Sequence, residues 1–210
     1  MSEERDAQRN RVLDVAVALF AKRGFDDVSM TEIAEAANVA RATVFNYFGS
    51  KHALIEAITE TILHFYRDML DEALADDMTP TPTLVRDLFE GMALGIESQR
   101  GLFRSVFREI ARIQLGFDEG GVAQRANEET TTRLELLFDR GKRRGELTDA
   151  FDAATLASAM KSLSNGTITH WLYDDPTGPL STRMRDAADI FLSPVACTPA
   201  RNPRSKRGAK

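Results

Sequence analysis

The sequence predicts an all-α chain, and two observations carry that prediction. Apolar residues recur at three- and four-residue intervals through nearly all of the 210 residues, the spacing that lines up one face of a helix. No convincing alternating run for a strand, internal repeat or heptad array interrupts them. Turn-forming residues divide the pattern into about nine helices.

In the first, Val12, Val15, Ala16, Leu19 and Phe20 form a single apolar stripe. Glu3, Glu4 and Asp6 precede it and suit the positive end of its dipole. Gly24 ends it, after Lys22 and Arg23 in the last turn. Ser29-Met30-Thr31-Glu32 reads as a capping box, opening a short helix over about 30–37 that buries Ile33 and Ala37. Asn38 stands where the chain must turn, and Asn tolerates the left-handed region better than most residues. A second short helix follows over about 40–47. Ser50 can cap a long helix to about residue 75, with Leu54, Ile58, Ile62, Phe65, Tyr66 and Met69 on one side. The run Asp76–Pro82 breaks the pattern. Beyond it helices are expected over about 83–99, 101–115, 121–144, 152–174 and 180–192, punctuated by Gly141, Gly145 and the stretch 174–179.

Composition sets limits. With 43% hydrophobic and 28% charged residues the chain has the makeup of a soluble globular protein. No apolar run reaches the roughly 18–20 residues of a membrane span, and MSEERDAQRN lacks the apolar stretch of a secretory signal. A cytoplasmic protein with no membrane partner is expected. The single cysteine, Cys197, excludes an intrachain disulfide and reads as an incidental thiol. The net charge of −5 is unevenly spread: −1 over residues 1–51, −9 over 52–200 and +5 over the last ten. Residues 194–210, rich in Pro, Arg and Lys, read as a disordered basic tail.

The helix, tight turn and helix over 30–47 carry the functional reading. The second helix is about 11 Å long, which fits a major groove about 12 Å wide. Val44 and Phe48 are spaced to pack inward. Arg41, Ala42, Thr43, Phe45, Asn46 and Tyr47 are left for the other face, which offers a guanidinium, a hydroxyl, an amide and a phenol. Arg and Asn pair with guanine and adenine edges; Thr, Tyr and Lys suit phosphate oxygens. The plain alternative is a solvated Arg41 and Asn46 over a core Phe45 and Tyr47.

The segments Gly24-Phe25, Ser29-Met30-Thr31-Glu32-Ile33-Ala34-Glu35-Ala36-Ala37-Asn38-Val39, Thr43-Val44-Phe45-Asn46-Tyr47-Phe48 and Ser50-Lys51-His52-Ala53-Leu54 resemble the tetracycline-repressor (TetR) family. The resemblance covers about the first fifty-five residues; beyond them only length and helical content agree. It implies an Ω-shaped all-helical dimer: a three-helix DNA-binding domain with a helix-turn-helix, residues 1–52, and a helical ligand-binding and dimerisation domain, residues 53–193. By position it makes Arg41, Ala42 and Asn46 base-facing and Thr43, Tyr47 and Lys51 phosphate contacts. Met30 and Thr31 open the helix that borders the groove. The chain departs from the family pattern at Asn38, usually Gly, at Ala40, often Ser, and at Phe45, usually Tyr. Without a side-chain cap at Ala40 the recognition helix gives up about 1 kcal/mol.

One short helix discriminates too few bases on its own, so two copies and a palindromic operator of double-stranded DNA are expected. The resemblance puts the dimer surface on the last two helices. Ala153, Ala154, Ala157, Ser158 and Ser162 would face Ala187, Ala188, Phe191 and Leu192, unless these pack within their own chain. An unknown small-molecule effector is expected between the helices of the second domain. Phe89, Met92, Phe103, Phe107, Phe138, Met160 and Trp171 are its candidate lining, though aromatic and Met stripes also build cores. Asn165, Thr169 and His170 are candidate polar anchors. The row Arg104, Arg108 and Arg112 is either a solvated face or an anion site. Binding would shift the dimer toward a spacing wrong for DNA, coupled through the helix at 50–75.

Nothing points to an enzyme. His52, His64 and His170 are scattered without metal-ligand spacing, and there is no phosphate loop or nucleophile elbow, so no metal or cofactor is expected. The sequence is best read as a ligand-responsive transcription regulator, most simply a repressor. A helical protein-interaction module with a non-DNA-binding helix-turn-helix is the alternative.

Overall fold

A computed structural model describes residues 2–114, 122–174 and 177–195, apart from the side chains of 2–3, 109–114 and 122–123. Among the described residues there are nine helices and no strand: α1 (Ser2–Arg23), α2 (Met30–Ala36), α3 (Arg41–Phe48), α4 (Lys51–Ala75), α5 (Thr81–Ser98), α6 (Arg100–Gln114), α7 (Val122–Arg143), α8 (Ala153–Tyr173) and α9 (Leu180–Leu192). None is long and apolar enough to cross a membrane. Cys197 and nearly all of the basic tail lie outside the described residues.

The helix ends follow local chemistry. Ser29 Oγ accepts from the Glu32 amide at 3.2 Å, and the Ser29 amide donates to Glu32 Oε2 at 2.8 Å, closing the expected capping box. Asn38 takes φ +54°, and the Val39 amide returns to Ala34 O at 3.0 Å. Ser50 Oγ caps α4 through the Ala53 amide at 3.0 Å. Two boundaries differ from expectation. α1 starts at Ser2, so Glu4 and Asp6 lie within it rather than before it. α5 starts at Thr81 and takes in Pro82, because a first-turn residue needs no N–H.

Among the described residues two large apolar cores form, beside a small pair of Leu63 and Ala126. The first gathers Val12, Ala16 and Phe20 of α1, Ile33, Val44 and Phe48 of the short helices, Leu54 and Ile58 of α4, and Leu102 and Val106 of α6. It therefore reaches beyond residue 52. The second joins α4, α5, α7, α8 and α9 around Leu70, Phe89, Leu137, Phe138, Met160 and Met184. Phe103 of α6 packs against both.

α6 is fastened on two sides. Gly101 passes so close to α1 that a Cβ there would lie 2.5 Å from Ala21 O and 3.0 Å from Phe20 O. Arg100 donates to the last carbonyls of α8, Leu172 O at 2.9 Å and Trp171 O at 3.3 Å. Its guanidinium also lies over the Trp171 ring, 4.9 Å from the centroid. Arg140 does the same for α4, donating to Ala73 O and Leu74 O at 2.9 and 2.8 Å. These arginines supply partners for carbonyls that a helix end leaves open.

Candidate nucleic-acid interface and internal cavity

Burial divides the faces of α3. Val44 and Phe48 are inside the first core, while Arg41, Ala42, Phe45 and Asn46 are exposed and Thr43 and Tyr47 are half-buried. Two inward residues thus hold an eight-residue helix so that its polar side faces solvent. Ala40 makes no side-chain cap. The first turn is held by the backbone alone, Thr43 N to Ala40 O at 2.8 Å and Val44 N to the same oxygen at 3.4 Å. Arg41 lies over the Phe45 ring, 5.3 Å from the centroid. This resolves the alternative for Phe45, which is no core residue.

Three expected contact residues are already engaged or turned away. The Met30 side chain is buried at 8% exposure, because it fills the space between α2 and the first core. Met30 still borders the shallow concavity between α2 and α3. Lys51 Nζ sits 4.3 Å from the centroid of Phe25 and donates to Asp26 O at 3.3 Å. Tyr47 donates its hydroxyl proton to Gln8 Oε1 at 2.7 Å. Thr31 is half-buried beside Arg41 and Phe45 in a shallow concavity between α2 and α3.

A polar cleft lies between α1 and α3, lined by Arg5, Gln8, Arg11, Thr43, Asn46 and Tyr47. The sequence reading missed Arg5, Gln8 and Arg11. Their three-residue spacing, on a different side of α1 from the apolar stripe, is the signal that would have found them.

The geometry of α2 is held electrostatically. Arg23 at the end of α1 pairs with Glu32 Oε1 at 2.7 Å and also donates to Asp27 O. The Arg23 hydrogen bond, followed by those from the Ser29 backbone and side chain, brings the Glu32 pKa down to about 2.

A second candidate site is a partly open cavity of about 130 Å³ lined by residues of α4, α5, α6, α7 and α8. Of the expected lining, Met92, Phe103 and Phe107 face it. Phe89, Phe138, Met160 and Trp171 do not. They are packing residues: Phe89 and Phe138 are fully buried, Phe138 meets Phe191 at 5.7 Å between centroids, and Trp171 Nε1 donates to Gly178 O at 3.0 Å. Asn165 lines the cavity, whereas Thr169 and His170 are exposed, with His170 3.2 Å from Asp174. The Arg row is also turned elsewhere. Arg104 stacks on Tyr173 and Arg108 lies 3.7 Å from Asp26; the Arg112 side chain is outside the described residues.

Missed were Ile62, Tyr66 and Met69 of α4, Asn127 and Thr130 of α7, and Lys161 of α8. Lys161 Nζ donates to Asn127 Oδ1 at 2.9 Å and to Thr131 Oγ1 at 2.6 Å. Desolvation lowers its pKa, and burial raises that of Tyr66. Among the described residues no group of three His, Cys, Asp or Glu side chains could hold a metal ion.

The outward side of α8 carries small residues, Ala154, Ser158, Ser162 and Gly166, all exposed. The expected counterpart on α9 is corrected: Ala187, Ala188, Phe191 and Leu192 are buried in the chain's own second core, as are Ala153 and Ala157. The α9 residues pack against α5 and α8 of the same chain.

Known proteins share both sequence and shape. Residues 12–58 match the family described as bacterial regulatory proteins, tetR family. The uncharacterized HTH-type transcriptional regulator YvkB of Bacillus subtilis is 31% identical over 139 residues, 65% of this chain and 67% of YvkB. The HTH-type transcriptional regulator TtgR of Pseudomonas putida is 26% identical over 207 residues, 94% of this chain and 96% of TtgR. The fold resembles Thermus thermophilus FadR, a TetR-family transcriptional repressor crystallised with lauroyl-CoA. That match has TM-score 0.68 and 24% identity, covering 92% of this chain and 99% of the other.

Proposed function

The chain belongs to the tetR family of bacterial regulatory proteins, and from this we propose that it is a cytoplasmic, homodimeric repressor that leaves its operator when a small molecule fills the cavity. The observation that carries the proposal is the exposed side of α3. Arg41, Ala42 and Asn46 stand clear of the protein on a helix about 12 Å long, fixed from behind by Val44 and Phe48. Arg41 and Asn46 are the base readers. Thr43, with Arg5 and Arg11 across the cleft, meets the phosphates that set the register. Tyr47 and Lys51 join them by exchanging their present acceptors for phosphate oxygens, and Thr31 with Met30 borders the groove.

Residues 1–52 form the reading head, completed from behind by α4 and α6, and residues 53–193 the sensing and dimerising part, with 194–210 a basic tail. Paired recognition helices then meet half-sites one helical turn apart. The crystallised complex of T. thermophilus FadR with lauroyl-CoA supports a helical sensing domain of this fold. Coupling runs through α6 as well as α4. Phe103 borders the cavity and also touches both cores, so a guest that displaces it moves the helix resting on α1.

Operator selection from random DNA followed by affinity measurements tests the reading. Arg41→Ala should weaken specific binding by about 1–3 kcal/mol and relax one position of the site. Lys51→Ala should weaken all sequences alike and reduce the salt slope by about one. Unchanged affinity and specificity in Arg41→Ala would remove the base-contact assignment.

A further inference from the structure

The cavity pairs a mainly apolar lining with a cation that has no anion beside it among the described residues. Lys161 lines it, half-buried, and its two acceptors, Asn127 and Thr131, are both neutral. No carboxylate lies within ion-pair distance of it among the described residues. An ammonium has three donors, and these two acceptors leave one. Neutral partners repay only part of what it costs to withdraw a charge from water.

Two of the other polar groups have no proton to offer a guest, and a third keeps a donor. Thr130 and Ser164 spend their hydroxyl protons on their own helices, at Ala126 O (2.8 Å) and Lys161 O (3.1 Å). With Asn127 Oδ1 taken by Lys161, what Asn127 has left to offer is its amide nitrogen, a donor. The wall is otherwise mainly apolar, with Ile62, Met92, Phe103 and Phe107 among its residues, and Tyr66 and Asn165 add two polar groups. The partly open cavity has a volume of about 130 Å³, close to the ~150 Å³ of an apolar cavity that holds one benzene.

Building on the reading of this cavity as the effector site, we propose that the effector is a compact monocarboxylate, one ring or branched apolar body in size, whose carboxylate accepts from Lys161 Nζ while its body lies against Phe103 and Phe107. The lowered pKa of Lys161 fits an ammonium awaiting its counter-ion. A guest so placed presses on α6 at the residue shared by the two cores.

Calorimetric titration of the full chain without DNA separates charge from shape, using phenylacetate, 2-phenylacetamide and phenethylamine. The acid should bind at least ~10-fold tighter than the amide, and the amine should not bind. In Lys161→Met the advantage of acid over amide should vanish. The comparison on the parent protein needs no variant, so a poorly folded Lys161→Met leaves the proposal open to refutation. An amide that binds as tightly as the acid, an acid that does not bind, or an advantage that survives in a folded Lys161→Met would each overturn it. Operator release is assayed separately. Acid that binds with the expected preference yet leaves the operator complex intact upholds the ligand class and refutes the coupling. Intact operator binding in a protein that takes no acid refutes the ligand class alone.

Discussion

At Gly101 the helix α6 passes tightly against the reading head, and Gly101→Ala tests whether that closeness matters. The added methyl would meet Ala21 O at 2.5 Å, Phe20 O at 3.0 Å and Ala21 C at 3.2 Å. Ordinary contact begins near 3.4 Å, so relief requires α6 and the end of α1 to part by nearly an ångström. All three atoms are backbone, and no rotamer change can clear them. Overpacking of this kind costs about 1–3 kcal/mol. Replacing a helical glycine by alanine returns at most about 1 kcal/mol, and less in the first turn of a helix, where Gly101 lies. The variant should therefore be destabilised by about 1–2 kcal/mol. Denaturant unfolding followed by the fluorescence of Trp171, at one fixed protein concentration because association shifts apparent stability, measures the first effect. Operator affinity measures the second: with α6 pushed off α1, affinity should fall without any change at α3. A variant as stable as the parent, with undiminished operator affinity, would refute the claim that α6 is wedged against the reading head.

Two further outcomes follow from the same geometry. Because the Glu32 carboxyl is held near 2 against its ordinary 4.5, its contribution to stability is complete above pH 4.5 and is lost as pH falls toward 2; in thermal melts Glu32→Gln should remove that part of the acid sensitivity, and an identical pH profile in parent and variant would discard the role given to the Arg23 and Ser29 hydrogen bonds. Ser162→Arg places a long cation on the small-residue side of α8 and should turn a sedimenting dimer into a monomer with weakened operator binding, whereas a parent that is already monomeric would end the dimer reading.

The first fifty residues were largely legible because their signals are local. A capping box needs only Ser29 and Glu32 at the right spacing, and a left-handed turn needs only Asn38. The inward pair Val44 and Phe48 follows from helical periodicity. The second domain gave up its helices by the same rule but not its cavity. Phe89, Phe138, Met160 and Trp171 have the same periodicity and chemistry as Met92, Phe103 and Phe107, and only tertiary packing decides which wall faces a void. Lys161 was missed for a related reason: a single lysine on an amphipathic helix gives no local sign that α7 will fold over it. Tyr47 and Lys51 were placed correctly on their helices, yet their present partners, Gln8 and the Asp26 carbonyl, come from segments far away in the chain.

Away from DNA, the Tyr47–Gln8 bond occupies the one proton that Tyr47 would give a phosphate. Exchanging Gln8 for an apolar side chain would leave that hydroxyl ready for the duplex from the outset. Two regulators with identical residues 41–47 can thus differ in affinity for the same site, and a comparison confined to those seven positions would miss the difference.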